Sequence, residues 1–243
     1  MGAGSATGHA DLLPAGCQPA GFGHGSGEVS PSRPAIRGMV AGGPSRPPIG
    51  RLPRAHGGIP MARRLDATQV VRPTHFGHAV LRTRNLDEAI AWWETVVGMR
   101  VVHRNAFIAF LTYDDEHHRL ALVQTGEQTP APPGAAGLDH LGYTVGSLGE
   151  LLGTYRRLEA KGILPVWSIN HGLTSSLYYA SPDGIRVEFQ VENFETKADL
   201  EGFMRSDAFA KNPIGVEFDP AALAARYERG DPLPELLRQG ATP

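Results

Sequence analysis

A chain of 243 residues with 41% hydrophobic content can bury one good core, or one domain built from two similar halves, which excludes a large multidomain protein. A formal net charge of -2 and a pI near 6.5 give no basic excess for nucleic acid or an anionic membrane, so small-molecule chemistry is the expectation. The one cysteine, Cys17, excludes an intramolecular disulfide and a cysteine-rich zinc site, which fits a reducing cytoplasm.

Residues 1–60 hold nearly half of the Gly and Pro, without apolar periodicity, and cannot bury enough surface to offset the entropy of ordering them. We read 1–66 as a disordered extension, with Met61 as the expected true start. No secretory leader is visible at the N-terminus, and no apolar run reaches the roughly 18 residues of a membrane span. A cytoplasmic protein is expected.

Regular patterning begins after Thr74. Residues 75–83 read as a strand; Asn85 then offers an N-cap and Gly98 a C-cap for an amphipathic helix through Ala91, Trp92 and Val96. Three strand-like runs follow at 100–103, 107–113 and 119–124, separated by polar turns. The same order returns with a strand at 140–145, a helix from Ser147 to about Lys161 stopped by Gly162, and strands at 164–169, 175–180 and 185–191. The fold class is therefore α+β, two paired βαβββ modules at 74–129 and 137–194, each covering the open sheet of the other. The Pro- and Gly-rich stretch 130–137 is the joint. The tail, 195–243, has helical pieces around 200–209 and 220–227, expected to wrap the domain or a partner subunit, so a homo-oligomer is the expectation.

The repeat aligns His78-Ala79-Val80-Leu81-Arg82-Thr83 with His140-Leu141-Gly142-Tyr143-Thr144-Val145, which relates His78 to His140. His75, the competing histidine of the first strand, has no counterpart in the second module and lies an odd number of residues away, on the other face. In the last strand Val187 and Phe189 point opposite to Glu188, which directs Glu188 to the histidines' side. Two imidazoles and one carboxylate leave about half of an octahedral ion open, as binding of a substrate and dioxygen together requires. Fe(II) is the expected metal, and Mn(II) suits the same donors.

Four segments carry a resemblance: Gly77-His78-Ala79-Val80-Leu81-Arg82-Thr83, Asp115-Glu116-His117-His118-Arg119-Leu120-Ala121-Leu122, Gly137-Leu138-Asp139-His140-Leu141-Gly142-Tyr143, and Tyr178 through Glu188. Together they resemble the type I extradiol dioxygenases of the vicinal-oxygen-chelate superfamily, over about 74–194, with a tail similar to that of the small single-domain members. The resemblance implies cleavage of an aromatic diol, a catechol, by dioxygen at an Fe(II) held by His78, His140 and Glu188. It further implies an acid/base role for His118, with His117 as its decoy, a hydrogen bond from Tyr178 to the bound catecholate, and an active-site role for His171. The segment from His171 to Tyr178 is about two residues shorter than the family pattern. Trp167, Phe107 and Phe110 are candidates for the apolar wall.

Two other readings share the fold. A glyoxalase-like lyase or isomerase needs a fourth metal ligand from the last strand of the first module; the counterpart of Glu188 there falls near the apolar Leu122, with Gln124 two residues on. A non-catalytic small-molecule-binding protein would need no convergent ligands.

Overall fold

Strands begin where a partner backbone becomes available to receive their hydrogen bonds. The structure, a computed structural model, describes residues 68, 70–126 and 136–242. The first strand, β1 (Ala79–Thr83), runs parallel to β4 (Leu120–Gln124) and starts where the Ala79 amide meets the Arg119 carbonyl at 3.0 Å. Residues 113–118 form turns and bends and offer no ladder, so the strand expected from residue 75 is shorter, and His78 lies one residue before it.

Helix α1 (Leu86–Val96) begins with the Asn85 side chain accepting the Glu88 amide, and Gly98, at φ 77, leaves the helix in the left-handed conformation. It buries Leu86, Ala89, Ile90, Trp93 and Val96 against the sheet, a 3.6-residue stripe. The chain returns through β2 (Arg100–Arg104) and β3 (Ile108–Thr112), giving the order β1-β4-β3-β2.

The second module repeats the plan: β5 (His140–Thr144), α2 (Leu148–Glu159) capped by Ser147, then β6 (Trp167–Asn170), β7 (Thr174–Ala180) and β8 (Arg186–Glu192). Its sheet has the order β5-β8-β7-β6, again with the first and last strands parallel. The helix-facing sides of both sheets, α1 and α2 form one continuous core. At the meeting of the helix ends, Arg157 donates to the Thr95 and Val96 carbonyls left free by the last turn of α1.

After β8 come α3 (Lys197–Met204), α4 (Asp207–Lys211), β9 (Val216–Glu217), α5 (Pro220–Glu228) and α6 (Leu233–Leu236). Strand β9, which the sequence reading missed, pairs antiparallel with β6 and extends the second sheet to five strands. The expected N-terminal extension, 1–66, and most of the inter-module joint lie outside the described residues. Among the described residues no helix is long and apolar enough to cross a membrane.

Candidate metal centre

Glu188 owes its position to register. Strand β8 lays Glu188 opposite Gly142 of β5, while Val187 and Phe189 enter the core on the other face. A side chain at Gly142 would bring its first carbon to 3.3 Å from Glu188 Oε2, so the absent side chain is what makes room for the carboxylate. Glu188 is only 6% exposed, and a buried carboxylate needs partners. It has them: Oε1 accepts the Tyr178 hydroxyl at 2.8 Å, and Oε2 stands 3.1 Å from His140 Nε2.

The other nitrogen of His140, Nδ1, lies 2.7 Å from Asp139 Oδ1, and Arg186 donates through Nη2 to both oxygens of Asp139. These two contacts, that of His140 first, hold the Asp139 carboxyl below the usual carboxylate range. With Nδ1 donating to Asp139, the lone pair of a neutral ring points from Nε2 toward Glu188. A divalent cation in that gap would meet one nitrogen and one carboxylate donor, and the carboxylate behind the imidazole is the arrangement that orients metal-binding histidines. The donor chemistry therefore fits the implied metal.

Tyr178 is 2% exposed, and burial, with the Glu188 carboxylate next, pushes its phenol well above the ordinary tyrosine range. It remains a protonated donor at neutral pH. Its oxygen also lies 3.1 Å from His171 Nε2, so one proton has two acceptors within reach. The other ring nitrogen of His171, Nδ1, is bonded to the backbone carbonyl of Ile214. Trp167 closes this side, with its ring 4.9 Å from that of Tyr178, whereas Phe107 precedes β3 and is 60% exposed.

His78 and His118 form a second cluster. Their ring centroids are 4.4 Å apart, and Phe110 stacks on His118 at 4.7 Å. Burial, and then the neighbouring His78 and His117, lower the His118 pKa, which favours the neutral ring that can accept a proton. His117 Nδ1 is 2.6 Å from His118 Nδ1. Phe76 and Ala79, on either side of His78 in the chain, line a small cleft together with Leu141, Gly142 and Tyr143 of β5. The starts of β1 and β5 thus flank one cleft, next in the chain to His78 and His140. The His78 ring faces His118, and among the described residues no three His, Cys, Asp or Glu side chains already surround a common point.

Register also fixes the counterpart of Glu188 in the first module. Glu188 pairs with Gly142, and the matching pair in the first module is Ala121 with Val80, so the counterpart of Glu188 is Ala121 rather than Leu122. Gln124 is committed elsewhere: Oε1 accepts the Leu86 amide at 2.7 Å and Nε2 donates to the Arg84 carbonyl at 2.8 Å, tying the start of α1 to β4. His75 lies outside the strand, 3.8 Å from Glu116. The sequence reading missed Asp139 and Arg186 as supports of His140, although Asp139 is its neighbour in the chain. The Ile214 carbonyl is backbone, so no residue type announces it.

The profile of the Glyoxalase/Bleomycin resistance protein/Dioxygenase superfamily matches residues 75–189. Biphenyl-2,3-diol 1,2-dioxygenase 2 of Rhodococcus globerulus is 42% identical over 161 residues, which cover 65% of this chain and 84% of that protein. Biphenyl-2,3-diol 1,2-dioxygenase 3 of the same organism is 40% identical over 161 residues, 65% of this chain and 85% of its own length. Lactoylglutathione lyase of Neisseria meningitidis serogroup A is 24% identical over 119 residues, 46% of this chain and 86% of that enzyme. With the paired modules and these similarities together, the chain belongs to the glyoxalase/bleomycin resistance protein/dioxygenase superfamily.

Proposed function

We propose that the protein is an extradiol dioxygenase that opens the ring of a catechol-type aromatic diol with dioxygen, at an Fe(II) or Mn(II) held by His78, His140 and Glu188. The observation that carries this reading is the buried cluster in which Glu188 meets both His140 Nε2 and the Tyr178 hydroxyl. The similarity to two biphenyl-2,3-diol dioxygenases supports the reaction class. His78, next in the chain to a cleft shared with β5, supplies the third ligand by turning from His118 toward His140.

When bound, the metal supplies the electronic link between the diol and dioxygen, and the open side of a three-ligand site leaves room for both. The chain's own residues do the rest. Asp139 and Arg186 hold the His140 ring in one orientation. His118, whose pKa is lowered by burial and then by the neighbouring His78 and His117, accepts a proton from the substrate diol and returns it later in the cycle. Tyr178, a protonated donor, hydrogen-bonds the substrate oxygen, and its second acceptor, His171, keeps the hydroxyl in place as the proton shifts between partners. Trp167 and Phe110 form apolar walls that exclude water and accept an aromatic ring. The protein acts in the cytoplasm as a homo-oligomer on small aromatic substrates, with neither nucleic acid nor a membrane as partner.

The test is anaerobic loading with Fe(II), addition of a panel of catechols, and then admission of oxygen while oxygen uptake and visible absorbance are recorded. A yellow ring-opened product with matching oxygen consumption is expected. Metal binding with no oxygen uptake on any diol would overturn the dioxygenase reading in favour of a lyase or isomerase.

A further inference from the structure

We infer that the segment 212–217, which lies beyond the residues shared with the superfamily profile, is a positioning element of the active site: it sets the orientation and tautomer of His171 through the Ile214 carbonyl. The inference rests on the ring-cleavage reading for its kinetic consequence only.

Three independent features converge on it. First, Ile214 presents its carbonyl to His171 Nδ1. A carbonyl only accepts, so this contact requires the proton on Nδ1 and leaves Nε2 of the neutral ring as the acceptor that faces the Tyr178 hydroxyl at 3.1 Å. Second, the segment is fixed against β6 immediately beside His171. Val216 and Glu217 pair with Asn170 and Ile169, and Glu217 Oε1 accepts the Trp167 indole N–H at 2.7 Å. The one segment 212–217 thus holds both the ring that partners Tyr178 and the ring that packs against it.

Third, the close approach depends on a glycine. Gly215 has φ 118, and a side chain there would place its first carbon 2.3 Å from the Asn170 carbonyl oxygen and 2.7 Å from His171 Cα. Other residues are disfavoured by both conformation and space. Asn212 pins this glycine from outside, accepting its amide at 2.9 Å and donating to its carbonyl at 2.7 Å. From the inside, Asn170 is held by the Leu237 carbonyl, the Gly172 amide and Asn193. His171 is clamped between two rigid pieces of backbone, and the outer piece comes from the tail.

The test uses the full chain with histidines labelled by 15N, metal-free and under mildly alkaline conditions, so that the imidazoles are neutral. Long-range proton–nitrogen spectra, assigned with His171→Gln, should show His171 protonated on Nδ1 in the parent protein. Gly215→Ala should shift that signal toward the Nε2-protonated form. In the metal-loaded enzyme kcat should fall about ten- to a hundredfold with metal affinity unchanged, as expected when a group near the chemistry is misplaced by about an ångström. Asn212→Ala, an exposed change that leaves the glycine in place, should move both readouts in the same direction by less, and it serves if Gly215→Ala does not fold. Unchanged tautomer and unchanged kcat in the folded variants would overturn the inference and leave the segment as mere cover. A tautomer shift in a protein that cleaves no catechol would uphold the positioning and sink the ring-cleavage reading instead.

Discussion

The two βαβββ modules share strand order and parallel edge pairing, yet they use one registered position in opposite ways. In the first module Val80 faces Ala121 across β1 and β4; in the second Gly142 faces Glu188 across β5 and β8. The repeat supplies the placement, and the matched pair differs in its residues: in the second module a glycine on one strand leaves the space that a carboxylate fills from the next. The first module presents His78 and His118 as a tilted ring pair, while the second buries Glu188 and Tyr178 and places the half-buried His171 within hydrogen-bond reach of the Tyr178 hydroxyl.

The comparison is broken most severely by Glu188→Ala. This removes the proposed carboxylate ligand and leaves the Tyr178 hydroxyl with His171 as its acceptor, so metal binding and ring cleavage should both fall to background, read by metal analysis and oxygen uptake. A variant that keeps its metal would mean that the second module does not carry the carboxylate donor. Next comes His118→Phe, the equivalent disruption of the first module. Turnover should drop by about a hundred- to ten-thousandfold, the range of a lost general acid/base, with metal affinity preserved; loss of metal would make His118 a ligand.

Asp139→Ala tests the support behind His140. Metal affinity should weaken by about ten- to a hundredfold, measured by competition with a chelator, and unchanged affinity would show that Asp139 and Arg186 form only a surface pair. The smallest effect is expected at the helix cap of the first module. Asn85→Ala should cost about 1 kcal/mol of stability, seen in denaturant unfolding, without altering metal binding.

The architecture was legible because each signal was local. Asn85, Gly98, Ser147 and Gly162 mark helix ends by side-chain or backbone chemistry, and the α2 helix ends at Glu159, just before the expected stop. Strand limits were less legible because a strand ends where its partner does: β1 starts at Ala79, not residue 75, once residues 113–118 turn away. The candidate metal residues could be proposed from alternation and repeat alignment. What surrounds them could not, since Gln124 is claimed by the Leu86 amide and the Arg84 carbonyl, contacts that depend on the folded loop. Strand β9 is two residues long, too short to show any periodicity, and the Ile214 carbonyl that reaches His171 just before it is backbone.

In the proposed site the two modules jointly hold one metal, with His78 as the ligand from the first. Fe(II) titration of the parent protein and of His78→Ala under anaerobic conditions, followed by calorimetry, addresses it directly. One tight site per chain is expected in the parent, and its loss in the variant. Parent-like binding in His78→Ala would contradict it, leaving the metal to the second module alone.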